Sequence, residues 1–211
     1  MDASNIYYNP FEETEMWENR LPHWQQPGKT YFVTFRLADS LPAHLLEQHS
    51  REKKTWLETN PKPWTPDKER EYHLRFTTKI DHWLDQGYGS CALADGRHAR
   101  VVADTLAHFE GTRCRQFAWV VMPNHVHAVF LLLEGEELTD LIRSWKRYSA
   151  RRINETRGKR SPFWQKDYFD RLVRDREHFG NTVRYIRRNP VKACLPPDRF
   201  PLFESEEALR F

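Results

Sequence analysis

Two histidines one residue apart, His125 and His127, stand at the head of the run MPNHVHAVFLLL. Side chains of an extended chain alternate between faces, so both imidazoles point one way and Val126 the other. Two neutral imidazoles are poor core filling, but they make half of a metal site. Further along, Tyr185 and Asn189 lie four residues apart in a stretch of helical period, on one face and one turn from each other. If that helix packs beside the histidine strand, Asn189 offers an amide oxygen to an ion held by His125 and His127, with Tyr185 nearby. A phenol is a weak nucleophile at its ordinary pKa of about 10. It becomes useful where a metal polarises the electrophile and positive charge stabilises the phenolate. Phosphodiester cleavage fits that demand. The phenolate attacks phosphorus, a sugar hydroxyl leaves, and the covalent phosphotyrosine keeps the ester's energy for a second hydroxyl to reverse the attack. Arg187, Arg188 and Lys192 surround the tyrosine in sequence and are residue types that hold phosphate.

Several elements must position these groups. Tyr31 to Leu37 is β-branched and aromatic and predicts a strand. A helix is expected from Pro42 to Leu57, and a second after Thr65-Pro66 with Tyr72, Phe76, Ile80, Trp83 and Leu84 on its stripe. Gly87-Tyr88-Gly89 reads as a turn, and Arg97 to Phe109 as a helix. Arg115–Met122 and His125–Leu133 form a hairpin about Pro123-Asn124. The next helix runs to Asn154 and buries Leu138, Leu141, Ile142, Trp145 and Tyr148. Residues 163–173 read as extended, and Asp175 caps a last helix with Phe179, Val183 and Ile186 inward. That helix is expected to stop at Asn189-Pro190, because a residue before proline avoids helical geometry. Residues 1–27 read as an irregular arm. Helices and strands mix without a βαβ rhythm, so the class is α+β with an antiparallel sheet and flanking helices.

The chain has 211 residues, 39% of them hydrophobic and 14% aromatic, which supports a real core and excludes a disordered chain. No apolar run approaches the roughly 20 residues of a membrane helix, so no membrane partner is expected. The acidic, polar start lacks the pattern of a secretory signal, and Cys91, Cys114 and Cys194 show no paired spacing. Both features point to reduced thiols and a cytoplasmic location. The net charge of +3 hides an asymmetry: residues 143–192 hold 16 Lys and Arg against 5 Asp and Glu. A basic segment with interleaved aromatics points to a nucleic acid. Lys146, Arg147, Arg151 and Arg152 read as DNA contacts on that segment or as a solvated face. Trp164 can stack on a base or fill the core.

The blocks WVVMPNHVHAVF, FWQKDYFDRLVRD and YIRRNPVKACL, in this order, resemble the single-domain tyrosine transposases of the HUH endonuclease superfamily. Among these the chain is most similar to the REP-associated tyrosine transposases of bacteria. The similarity runs from Lys29 to Leu195, which leaves residues 1–28 as an arm and 196–211 as a tail, both without an assigned role. The resemblance implies a ferredoxin-like sheet, with Mg²⁺ or Mn²⁺ on His125, His127 and Asn189. It also implies Tyr185 as the nucleophile, forming a 5′-phosphotyrosine and freeing a 3′-hydroxyl. The substrate would be single-stranded DNA beside a hairpin from a palindromic repeat. The family includes one-chain active sites and swapped-helix assemblies, so a homodimer is one of two expected arrangements. Imidazoles on their own lean toward Mn²⁺ or Zn²⁺. The family commonly has glycine where this chain has Cys194, which would be strained if the backbone there takes a positive φ.

Two rival readings stand beside this one. A catalytically silent DNA-binding regulator of the same repeats would bind and never cleave. A zinc hydrolase would use water in place of Tyr185, but no HExxH or third strong zinc ligand accompanies the pair.

Overall fold

The computed structural model describes residues 6–18, 22–61, 63–196 and 199–211. Residues 1–5 and 19–21 of the expected arm, and 197–198 of the tail, lie outside the described residues. The arm is not irregular throughout: β1 (Glu15–Glu18) and β2 (Pro22–Gln25) pair as an antiparallel hairpin.

The main sheet is built from β3 (Thr30–Arg36), β4 (Cys114–Val121), β5 (His125–Leu132), β6 (Phe169–Leu172) and β7 (Leu202–Glu204). Its order is β6-β3-β5-β4-β7, with antiparallel neighbours throughout. α4 (Gly96–Ala107) joins β3 to β4, and α5 (Leu138–Arg157) joins β5 to β6. Without β7, this is the βαββαβ arrangement of ferredoxin-like folds, as expected. The tail extends the sheet by a strand on its β4 edge.

Alternation along the strands sorts the core into two layers. Val126, Ala128 and Phe130 face α4 and α5, where they pack with Val102, Leu106, Leu141, Ile142 and Trp145. Val129 and Leu131 face the other way, toward α6 (Arg176–Lys192), whose Phe179, Val183 and Ile186 are buried as expected. His125 and His127 share the parity of Val129, so they too look toward α6. The expected burial of Tyr148 does not hold; it is half exposed on the outer side of α5. Trp164 lies in the core, edge-on to Phe35, with its Nε1 donating to Ser149 Oγ at 3.0 Å.

α6 does not end at Asn189. It continues through Pro190 to Lys192. Proline removes one donor from the helix, but later donors close the last turns: Ala193 N bonds Asn189 O and Leu195 N bonds Pro190 O. Tyr185, Asn189 and Lys192 therefore keep one helical phase. Cys194 follows with φ of 53°, the left-handed conformation that favours glycine.

Between β3 and α4 the chain makes a helical excursion. It consists of α1 (Ala43–Thr59), α2 (Pro66–Tyr72), a π-helical turn (His73–Thr77) and α3 (Thr78–Asp85). Trp56, Tyr72 and Phe76 form an aromatic cluster within it. Among the described residues, no helix is long and apolar enough to cross a membrane.

Candidate active site

A tight turn at Pro123-Asn124, closed by Met122 N donating to His125 O, starts β5 with His125 at its first position. His127 faces Thr34 across the strand pair. Both histidines are fully buried, and their Nε2 atoms lie 3.0 Å apart. Their Nδ1 atoms are engaged elsewhere. Asn124 Nδ2 donates to the carbonyls of Leu84 (3.1 Å) and Tyr88 (3.4 Å), which fixes the orientation of its amide. Its Oδ1 must then accept from His125 Nδ1, at 2.7 Å. His125 consequently presents a bare lone pair at Nε2. His127 Nδ1 meets Thr34 Oγ1 at 2.7 Å, and a hydroxyl can donate or accept there, so His127 can adopt either tautomer.

Burial is the main force on both rings. It pushes His125 down to about 3, with the neighbouring Asn189 amide working the other way and the Lys192 charge working with it. Burial, then His125 and Lys192, hold His127 well below the ordinary range. Both imidazoles are therefore neutral, the form that ligates metals.

From the facing helix, the Tyr185 hydroxyl reaches His127 Nε2 at 3.3 Å. Phe32 walls the site, stacked on His127 and edge-on to Tyr185. Burial and then the charge of Asp81 keep the phenol firmly protonated. Asn189 is 1% exposed, beside His125 and Tyr185, yet neither its amide oxygen nor its nitrogen completes a hydrogen bond. An unsatisfied amide at this depth is costly. A divalent ion taking lone pairs from its oxygen and from the two Nε2 atoms would satisfy that oxygen, so these residues fit the expected metal. Among the described residues no cluster of three or more His, Cys, Asp or Glu offers another metal site.

Tyr185 also lines an open groove of about 300 Å³ with Asn181, Arg184, Arg188 and Lys192. These positions recur every three or four residues and so share one face of α6. Three cations beside a phenol make a site for a phosphate.

The structure thus brings together His125, His127, Asn189, Tyr185, Arg188 and Lys192. It places the other expected contacts elsewhere. Arg187 points away from the groove, with its guanidinium paired to Glu204 of β7 at 2.7 Å. Lys146, Arg147, Arg151 and Arg152 ride on α5, across the sheet from the histidines. The Lys146 ammonium donates to Lys166 O at 2.8 Å, and burial lowers it to about 8. Arg151 and Arg152 share Glu155. Trp164 is too enclosed to stack on a base, because its indole is needed under α5. His178 makes local contacts at the start of α6, where its backbone N–H bonds the Asp175 cap and its ring accepts from Arg174 N.

Sequence reasoning missed Asn124, Thr34, Arg184 and Asp81. Arg184 was within reach, since its spacing to Arg188 matches that of Tyr185 to Asn189. Asn124 was visible as a turn residue, but not as the orienter of His125. Thr34 depends on strand register and Asp81 on the docking of a separate helix.

Residues 97–189 match the family described as "Transposase IS200 like". A REP-associated tyrosine transposase of Escherichia coli (strain K12) is 31% identical over 75 residues. That alignment covers 36% of this chain and 43% of the relative, so the chain matches less than half the length of that relative. A solved structure of a REP-associated tyrosine transposase bound to a REP hairpin aligns over 84% of this chain and 74% of its own, at 21% identity and a TM-score of 0.44. The similarity to REP-associated tyrosine transposases read from the three sequence blocks is borne out by the family match and by this relative.

Proposed function

We propose that this protein is a metal-dependent, single-strand DNA endonuclease and strand transferase. On this reading Tyr185 is the nucleophile, through a 5′-phosphotyrosine, at hairpin-forming palindromic repeats. One observation carries the reading: a buried phenol 3.3 Å from a pair of neutral imidazoles, beside an unsatisfied amide, at the floor of a cationic groove. The match to transposases supports the substrate class.

His125 Nε2, His127 Nε2 and the Asn189 amide oxygen would hold Mg²⁺ or Mn²⁺. When bound, that ion supplies Lewis-acid polarisation of a phosphate oxygen. The protein's own groups do the rest. Asn124 and Thr34 orient the two imidazoles. Arg184, Arg188 and Lys192 hold the phosphate over Tyr185. Phe32 fixes the ring edge-on, so that the phenol oxygen leads the attack. The aliphatic and aromatic packing under α6 keeps helix and hairpin in register while the strand is exchanged.

The test is incubation with an end-labelled hairpin oligonucleotide and Mn²⁺, followed by denaturing electrophoresis. A protein-linked label that disappears in Tyr185→Phe and with a chelator is the expected result. An adduct that persists in Tyr185→Phe would falsify the assignment. A free 5′-phosphate with no adduct would point to water as the nucleophile, and binding without cleavage to a silent regulator.

A further inference from the structure

Strand register sets a second row of side chains beside the imidazoles. His127 of β5 pairs with Thr34 of β3, and Thr34 with Phe169 of β6; the neighbouring row runs Val129, Phe32, Arg171. Paired residues share a face of the sheet, so Phe32, Phe169 and Arg171 stand on the face that carries the histidines. α6 packs against β4 and β5 on that face. Toward β6, Phe32 and Phe169 are both partly exposed, edge-on with ring centroids 6.3 Å apart. Phe32 in turn meets the Tyr185 ring edge-on at 5.9 Å. An aromatic row therefore leads from the phenol across β3 to β6. At about 4.8 Å per strand, Phe169 stands about 10 Å from His127 across the sheet. Cations bracket the row. Arg171, two residues along β6, donates from Nη2 to His73 Nε2 at 2.6 Å. Arg36, partly exposed, lies opposite His125 in register, and its Nη1 donates to the buried Ser40 Oγ at 3.0 Å. Ser40 gives its own proton to Leu37 O, which leaves its oxygen lone pairs to anchor the guanidinium.

We propose that Phe169 is the stacking platform for an unpaired base that flanks the phosphate held over Tyr185, with Arg36 and Arg171 taking the backbone phosphates beside it. The inference deepens the reading above and rests on this face being the one that receives single-stranded DNA. Two features single out that occupant. Accessible aromatic rings bordered by cations are the combination that binds single strands, with charge along the backbone and rings under the bases. The row is also continuous with the cationic groove of Arg184, Arg188 and Lys192, through Phe32 and Tyr185. A base inside a duplex is stacked on both sides and cannot reach such a ring, so the platform admits the single-stranded part of the substrate. Every base has a π-face, so the subsite adds affinity and register without reading base identity.

Binding of the full-length chain to a hairpin oligonucleotide with single-stranded flanks, in the presence of a chelator, tests this. Each flank nucleotide in turn is replaced by fluorescent 2-aminopurine or by an abasic residue. At one flank position the 2-aminopurine should be quenched on binding, and the abasic residue should weaken binding. Phe169→Leu keeps apolar bulk but removes the ring. It should abolish that quench and weaken binding by about 5- to 150-fold, with no added penalty from the abasic residue. Phe169→Trp should retain both the quench and the affinity. A quench that persists in Phe169→Leu, an equal abasic penalty in both proteins, or an unchanged affinity overturns the inference. Phe169→Met serves as a second variant; loss of cooperative melting in both makes the ring structural and also overturns it. These readouts do not involve the Tyr185 hydroxyl. A protein that shows the coupled losses but forms no adduct rejects the nucleophile reading and leaves the platform standing, whereas one that does not bind the flanked hairpin rejects both.

Discussion

Two sets of buried histidines show how partners decide what a buried imidazole is for. Among the described residues, the hydrogen-bond partners of His125 and His127 are neutral: an amide, a hydroxyl, a phenol and each other. Desolvation prevails there, and both rings sit far below the ordinary value. His23, in β2, is just as deeply buried, yet its Nδ1 bonds Asp170 and its Nε2 bonds Asp167 at 3.0 Å. Burial opposes its charge, but hydrogen bonds and charge from Asp170 and then Asp167 outweigh it and hold His23 above the ordinary value. One set keeps lone pairs free for a ligand. The other is a cationic rivet that fastens the N-terminal hairpin to β6 and the loop before it.

The largest effects should separate the two sets cleanly. His127→Ala removes a proposed ligand and the neighbour of the phenol, and should cut adduct formation by about 1000-fold or more, the range seen when groups that act as one unit are broken. Its melting temperature should move little beyond the loss of packing. His23→Ala does the reverse. It leaves two buried carboxylates without their shared partner and should cost about 3–5 kcal/mol of stability, read by denaturant unfolding, while the surviving folded protein still forms adduct. A His23→Ala protein with intact stability, or a His127→Ala protein with intact activity, would break the contrast.

A smaller effect sharpens it through pH. A histidine raised in the folded state contributes stability in full below its unfolded value of about 6.5, and loses it as pH rises through the folded value. The His23 ring proton resonance should therefore titrate above 6.5, and Asp170→Asn should move that titration downward. The hairpin's protection from hydrogen exchange should weaken over the same rising-pH window, by about 1.4 kcal/mol for each unit of upward shift. A His23 resonance that titrates below 6.5 would put it in the same class as the other pair.

These contrasts also show what a sequence can disclose. The His-Val-His pair was legible because strand alternation is geometric, and Tyr185 with Asn189 because a helix repeats every 3.6 residues. The ferredoxin-like antiparallel sheet followed from the resemblance, and the structure bears it out. His23 was not legible, since its role comes from Asp167 and Asp170, about 145 residues away in sequence. Asp81 was hidden on the polar side of a stripe that correctly placed Phe76, Trp83 and Leu84 in the core. The expected stop at Pro190 failed because the rule weighs one residue's preference. Here the packing of Val183 and Ile186 and the bonds after the proline carry the helix two residues further. The basic segment was correct as a count and misleading as a surface, because the sheet divides it between α5 and α6.

The smallest effect concerns the end of α6, outside both histidine sets. Cys194 adopts φ of 53° where related transposases were expected to carry glycine, and it is exposed with no packing to repay the conformation. A left-handed residue other than glycine costs roughly 1–2 kcal/mol, and glycine gives back part of that through a freer unfolded chain. Cys194→Gly should therefore stabilise the protein by about 0.5–1 kcal/mol, a rise of about 1–4 °C in melting temperature for a chain of this size. Its effect on the two sites is the informative part. The turn at Cys194 follows the bond from Ala193 N to Asn189 O, which connects it to the Asn189 backbone. The left-handed turn lies beyond the last α6 residue, and Asn189 is held by the helix and by burial on its own side. The adduct rate and the His23 titration should both stay unchanged while the melting temperature rises. A change in the adduct rate alone would show that the geometry of the amide is set by the strained turn and not by the helix.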